Sequence, residues 1–313
     1  MIFSQSTKEQ KHKVAKKYRK VITHDGLVIY EKETPTTFRF TRKETEKILK
    51  RKIDFSKFDH YCEVAHLEIS NNCNLRCKYC YVPNKHGREL STAKWKKIIH
   101  NLADYGIFQV TFGGGEPTLR KDLFELAEIV RRTGMNLGMT TNGLKLPQLN
   151  SHKLRKYFKQ INVSWHGNSD IFEEALEYLY KNNIPAGINY TYTIKYARDN
   201  DMIKFLADEY GAEILYLVYK PVINDWRNQI SGKDVYKVAK QAANEGLKVA
   251  VDGPCIDKCL MKKKFIDVDH LGNVLPCSFV RKPLGNLLKQ SLKTIWANRG
   301  KQVECPFVKL RKE

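Results

Sequence analysis

Three cysteines stand close together in Ser70-Asn71-Asn72-Cys73-Asn74-Leu75-Arg76-Cys77-Lys78-Tyr79-Cys80-Tyr81. Their spacing lets Cys73, Cys77 and Cys80 wrap one compact loop around a metal centre, and thiolates suit zinc or iron–sulfur clusters. A four-iron cluster held by three thiolates keeps one iron without a protein ligand. That iron can bind and reduce a cofactor, whereas a closed site mostly transfers electrons or holds structure. The competing chemistry is a structural zinc loop with a remote fourth ligand, for which His86 or Cys62 is available.

Other chemistry-bearing residues follow at intervals. Gly113-Gly114-Gly115-Glu116-Pro117 is a run in which backbone groups can approach a ligand closely, although ordinary glycine-rich turns read the same way. Thr140-Thr141-Asn142-Gly143 and Val163-Ser164-Trp165-His166-Gly167 are polar segments, each ending an apolar stretch. Asn189 and Thr191 share one face of their segment if it alternates with period two. A second set of thiols, Cys255, Cys259, Cys277 and Cys305, lies near the C-terminus. The segment Asp267–Cys277 reads as a β-hairpin turning at Leu271-Gly272-Asn273, which brings flanking cysteines together as a metal site requires. Four such thiols suit an iron–sulfur cluster or a zinc knuckle. Cys62, alone before the first long strand, is expected to be a buried or incidental thiol.

Regular elements must hold these segments in place. Periodicity predicts strands at 64–70, 108–112, 136–140, 160–164, 186–194 and 213–219. Helices are expected at 92–105, 121–133, 149–158, 169–182, 199–210 and 233–245. Six strand–helix units imply a parallel sheet with helices outside. Six are too few for a closed eight-stranded barrel, so the α/β fold expected is a partial (β/α)6 TIM-like barrel with its chemistry on loops after the strands' C-terminal ends. Residues 1–60 are expected to form a basic N-terminal extension, with a hairpin across Asp25-Gly26 and a helix at 41–52. Residues 61–246 form the barrel. Residues 247–313 break the alternation and are expected to be a second, smaller unit.

In this order the motifs resemble the radical SAM superfamily. Its hallmark is three cysteines separated by three and then two residues, with an aromatic before the last, here Tyr79. The resemblance covers residues 64–220 and continues into the tail. It implies a 4Fe–4S cluster on Cys73, Cys77 and Cys80 whose open iron is chelated by S-adenosyl-L-methionine (SAM). Reductive cleavage then yields a 5′-deoxyadenosyl radical that abstracts a substrate hydrogen. It further implies that Gly114, Gly115 and Glu116 serve the methionine amino end, that Thr141 and Asn142 line the SAM pocket, and that Ser164 lies near the ribose or carboxylate. Asn189 is assigned to the same pocket. Many members carry Asp where this chain has His166. The tail resembles the auxiliary-cluster extensions known as SPASM and twitch domains: Cys259, Gly272 and Cys277 meet the signature, and Leu284-Gly285-Asn286-Leu287 with Ile295-Trp296 is typical. A full SPASM domain carries further cysteines, so a twitch-like or truncated form is expected. It would hold one auxiliary 4Fe–4S cluster on Cys255, Cys259, Cys277 and Cys305. The N-terminal hairpin and helix resemble a small peptide-recognition element found with some peptide-modifying enzymes.

Composition bounds the partners. The chain has 313 residues, 42% apolar and 28% charged, with a formal net charge of +21. No apolar run approaches the ~20 residues of a membrane span, and no signal-type apolar core follows Met1, so a cytoplasmic protein away from membranes is expected. Residues 1–52 hold 15 Lys/Arg against 6 Asp/Glu. This excess fits a lysine-rich surface or an anionic partner. Three functions are open: oxidation, crosslinking or epimerisation of a peptide or protein; dehydrogenation of a small molecule in cofactor or natural-product synthesis; and nucleic-acid modification or RNA binding, which is not favoured. An external electron donor such as ferredoxin or flavodoxin is implied by the first two.

Overall fold

The computed structural model describes residues 18–31, 36–82, 87–221, 226–253 and 263–299. Cys255, Cys259 and Cys305 lie outside the described residues. At the N-terminus, β1 (Tyr18–Thr23), β2 (Gly26–Glu31) and β3 (Thr37–Thr41) form an antiparallel sheet in that order, followed by α1 (Arg42–Leu49). The expected hairpin and helix are both present. β3 adds a strand that the sequence reading lacked: Thr-Phe-Arg-Phe-Thr alternates with period two, but over only five residues, and the strand is largely exposed. Thr41 starts α1 with a capping box: its side chain accepts from the Glu44 N–H while Glu44 reaches back to the Thr41 N–H.

All six expected strand–helix units form. The strands are β4 (Val64–Ser70), β5 (Gln109–Gly114), β6 (Asn136–Thr141), β7 (Gln160–Ser164), β8 (Ala186–Tyr192) and β9 (Glu213–Val218). The helices are α2 (Thr92–Tyr105), α3 (Leu123–Arg132), α4 (Ser151–Tyr157), α5 (Ser169–Lys181), α6 (Asn200–Glu209) and α7 (Gly232–Asn244). Adjacent strands pair in parallel from β4 through β9. Apolar alternate residues are fully buried in one continuous core, among them Leu67 and Ile69 of β4, Phe112 of β5 and Val163 of β7. By the period-two rule the opposite face carries His66, Glu68, Ser70, Thr111, Asn162, Ser164 and Asn189. The open face is thus polar and the covered face apolar.

The sheet does not end with these six strands. β10 (Val249–Val251) pairs in parallel with β9 at one edge. At the other, β11 (Phe265–Val268) pairs in parallel with β4 and continues into antiparallel β12 (Asn273–Leu275) and β13 (Gly285–Asn286). The ten-stranded sheet stays open, with β10 and β13 as its edges. The expected hairpin at 267–277 is present, and it hydrogen-bonds to the barrel's first strand. A short helix, α8 (Leu292–Ala297), buries Ile295 and Trp296. The Trp296 indole donates to the His60 carbonyl at 2.7 Å.

Candidate active site

The cysteine loop starts where β4 ends. A single oxygen of Glu89 accepts from the Ser70 hydroxyl (2.7 Å), the N–H groups of Asn71 (2.9 Å) and Asn72 (3.2 Å), and the Asn72 amide (2.9 Å). Burial alone would raise this carboxyl; the donated hydrogen bonds outweigh it and hold it below the usual range. Glu89 therefore braces the entry to the loop, a role its place in an unpatterned segment of sequence did not reveal.

The glycine run packs on that entry. The Gly115 N–H donates to the Ser70 carbonyl and the Glu116 N–H to the Asn72 carbonyl, each at 2.7 Å. A Cβ on Gly115 would stand 2.2 Å from the Asn72 oxygen, and Gly114 has φ of +106°, so only glycine lets the two loops meet. Glu116 is 1% exposed. Its carboxylate accepts from the Thr118 N–H and hydroxyl, the Thr141 hydroxyl and the Asn142 N–H at 2.7–3.0 Å. Burying a carboxylate costs several kcal/mol. Hydrogen bonds to a charged acceptor contribute roughly 1.5–3 kcal/mol each, so four offset the cost. Burial still wins over the hydrogen bonds in direction, and the carboxyl sits above its ordinary value. The side chain of Glu116 thus ties the end of β6 to the glycine run: Oε1 accepts three of the bonds and Oε2 one, from the Asn142 N–H.

That tie places Asn142 over the cysteines. Its amide donates to Asn74 Oδ1 at 2.8 Å and lies 4.0 Å from Cys73 Sγ. From the next strand end, His166 Nδ1 reaches the Tyr79 hydroxyl at 2.7 Å and Cys77 Sγ at 3.7 Å. Burial, reinforced by the neighbouring Cys77, raises the Tyr79 phenol far above its ordinary value. Tyr79 also meets Tyr219, past β9, edge-on at 6.3 Å. The departure noted at His166 therefore falls directly on the cysteine loop. Ser164 and Asn189 stand side by side as register partners on β7 and β8, where Asn189 accepts from the Asn162 amide at 3.0 Å.

The loop's other tyrosine faces the opposite way. Tyr81 packs on Phe279 at 5.3 Å and on His66 at 6.3 Å. Phe279 belongs to the half-buried turn at Cys277, where the Val280 N–H returns to the Cys277 carbonyl. Cys73, Cys77 and Cys80 are all half-buried residues. Three thiols on one loop at the strands' C-terminal ends form a donor set fit for an iron–sulfur cluster. Cys62 is fully buried and its thiol is pushed up by burial, as expected of a core thiol.

Comparison with known proteins identifies the domains. A model described as the radical SAM superfamily matches residues 67–208, and one described as an iron–sulfur cluster-binding domain, SPASM, matches residues 259–312. Residues 67–208 are thus a radical SAM domain, followed by a SPASM-type domain. The radical SAM domain implies a 4Fe–4S cluster with SAM, and the SPASM domain an auxiliary iron–sulfur cluster. The chain is 30% identical over 194 residues to an Fe-coproporphyrin III synthase of Methanosarcina barkeri, covering 56% of this chain and 48% of the synthase. It is 43% identical over 83 residues to a PqqA peptide cyclase of Bradyrhizobium diazoefficiens, covering 26% and 22%. The chain thus spans about half the length of the first of these relatives and less of the second. In structure it is similar to Streptococcus suis SuiB bound to precursor peptide SuiA, with TM-score 0.72, 15% identity and coverage of 95% and 93%. At that identity the similarity bears on the fold. Among the described residues no helix is long and apolar enough to cross a membrane.

Proposed function

We propose that this radical SAM protein is an enzyme that cleaves SAM reductively and abstracts a hydrogen atom from a peptide or protein, oxidising, crosslinking or epimerising it. In this reading Cys73, Cys77 and Cys80 hold the SAM-binding cluster. Gly114, Gly115, Glu116, Thr141, Asn142, Ser164 and Asn189 line the SAM pocket, the first three at the methionine amino end. Cys255, Cys259, Cys277 and Cys305 hold the auxiliary cluster. The division at residues 60 and 246, a ferredoxin- or flavodoxin-type electron donor and a cytoplasmic location belong to the same proposal. One observation carries the reading: the cysteine loop, the glycine run and the β6 end are locked together by Glu89 and Glu116 at the mouth of a polar lumen.

A peptide is favoured over a small molecule by the N-terminal unit. β3 is an edge strand, the position at which an extended peptide can add to a sheet. Lys43, Lys47, Lys50, Arg51 and Lys52, with Glu46 paired to Lys52, line an open depression of about 530 Å³ at the end of α1, whose excess of cations suits acidic residues. The unit is held to the barrel by the Tyr30–Phe108 stack at 4.7 Å and by Arg39 on buried Glu63. A small-molecule dehydrogenase is the second reading, supported by the match to the coproporphyrin synthase. Anaerobic reconstitution with iron and sulfide, assay of 5′-deoxyadenosine, and mass spectrometry of peptides encoded by neighbouring genes test the proposal. Deoxyadenosine with a mass change in one peptide is the expected result. Deoxyadenosine with turnover of a metabolite pool and of no peptide would favour the second reading.

A further inference from the structure

Four ionisable side chains meet on the polar face of β4 and β11, beside the glycine run: a Cβ on Gly113 would stand 2.1 Å from His66 Nε2, and Glu68 is the register partner of Gly113. His66 lies beside Asp267 in the parallel register, and Glu68 is two residues further along the same face. Glu68 and Asp267 are both 0% exposed. Arg281 pairs with Glu68 through both guanidinium nitrogens, one of them at 3.0 Å. His66 Nδ1 lies 3.3 Å from Asp267 Oδ2. The second oxygen, Asp267 Oδ1, is buried and has no hydrogen-bond partner among the described residues. Tyr81, whose ring packs on His66, and the buried Asp269 with its neighbour His270, both within electrostatic reach of Arg281, are the other titratable groups around it. His66 and Arg281 keep 12% and 25% of their side-chain surface, which connects the sealed carboxylates to the open face.

The charges do not balance without a proton. Glu68 and Asp267 share one permanent cation, Arg281, on which the buried Asp269 also draws, and an uncompensated buried charge costs several kcal/mol. The deficit closes when one proton resides on His66 or on a carboxylate. Burial, followed by the charge of Asp267, pushes Glu68 up to about 7. At His66 burial opposes the charged ring, but Asp267 outweighs it and the direction is up. The proton belongs to the network and titrates near neutrality.

We propose that His66, Asp267 and Glu68, fixed by Arg281, form a proton-accepting site for the proton that the substrate releases as it is oxidised. This rests on the radical reading above, in its dehydrogenating or crosslinking form. A substrate C–H bond breaks and its hydrogen atom goes to the 5′-deoxyadenosyl radical. The adjacent N–H, O–H or C–H bond gives its proton to the network through His66. The remaining electron needs an acceptor, which an auxiliary iron–sulfur cluster on Cys277 and its partner cysteines would supply when bound, and a new bond forms between the two substrate atoms. The place suits the step: through Tyr81 and Phe279 the network lies between the Cys80 and Cys277 turns.

Infrared difference spectra of the reconstituted holoprotein, taken without substrate from about pH 5 to about pH 9, test the site directly. A protonated-carboxyl band should grow as pH falls through neutrality and vanish in Glu68→Gln. In His66→Gln its midpoint should move to higher pH, because a neutral amide no longer offsets the carboxylates. A wild-type spectrum without the band, or a band unchanged in both variants, overturns the proposal. With any peptide that the wild type converts, His66→Gln should lower product formation about 100-fold and remove the acidic limb of its pH profile. An equal loss at every pH would mark a structural role and overturn it too. Wild-type protein that forms no deoxyadenosine from SAM and dithionite would sink the radical reading itself, a result separate from the infrared outcome.

Discussion

Two glutamates are buried on the same sheet, and they are stabilised in opposite ways. Glu116 is surrounded by neutral donors from its own turn and the neighbouring β6 end, within 26 residues of chain. Glu68 is surrounded by charge: Arg281 from the far end of the chain, with Asp267 and His66 beside it. Neutral dipoles fix a shape without inviting exchange, and that suits a scaffold under a cofactor loop. An unbalanced set of charges holds a mobile proton, and that suits a site that changes state. The two ends of the candidate active site differ in the same sense, one rigidly tied and one electrostatically poised.

The largest expected effect breaks the tied end. Replacing Cys73, Cys77 or Cys80 with Ala should abolish deoxyadenosine formation, measured with SAM and dithionite. Cys277→Ala should instead lower bound iron from about eight to about four per chain and lose product, because the auxiliary four-iron cluster departs alone. Next comes the scaffold. Glu116→Ala strands the Thr118 and Asn142 N–H groups and should cost about 3–5 kcal/mol in denaturant unfolding, with Glu116→Gln near 1–2 kcal/mol.

The poised end should show itself through pH. Glu68 is raised from its ordinary value of 4.5 to about 7 in the folded chain. Its contribution to stability is therefore complete below about pH 4.5 and is lost as pH rises through about 7. Unfolding free energy should fall by on the order of 1–3 kcal/mol across that window, and Glu68→Gln should flatten the slope. A wild-type slope of the opposite sign, unchanged in the variant, would erase the contrast between the two glutamates. The smallest effect lies far from both. Thr41→Ala removes the capping box of α1 and should cost about 1 kcal/mol with no change in the pH slope.

Much of this molecule was legible locally. The limits of α2 at Thr92–Tyr105 and of β7 at Gln160–Ser164 coincide with those expected from periodicity. The first hairpin turns at His24-Asp25, one residue before the expected Asp25-Gly26, and the 267–277 hairpin forms as expected. Cys62 is in the core, as expected of a lone thiol just before the first long strand. The polar face of β4 was also readable, since His66, Glu68 and Ser70 alternate with Ala65, Leu67 and Ile69, but alternation does not say what faces them. Glu89 gave no signal, because bracing a loop through one carboxylate oxygen leaves no periodic trace.

The sequence alone determined the thiol loop, the strand–helix repeat and the glycine run, because each depends on neighbours in the chain: ligand spacing, side-chain period and the absence of a Cβ. Only the tertiary structure decided that the tail's β11 joins β4, that the Glu116 carboxylate accepts from Thr118, Thr141 and Asn142, and that His66 meets Asp267 across 201 residues. Those contacts depend on which strands become neighbours in the sheet. Parallel pairing is set by how the whole core closes, and the proton affinity of a buried charge is set by what that closure places beside it.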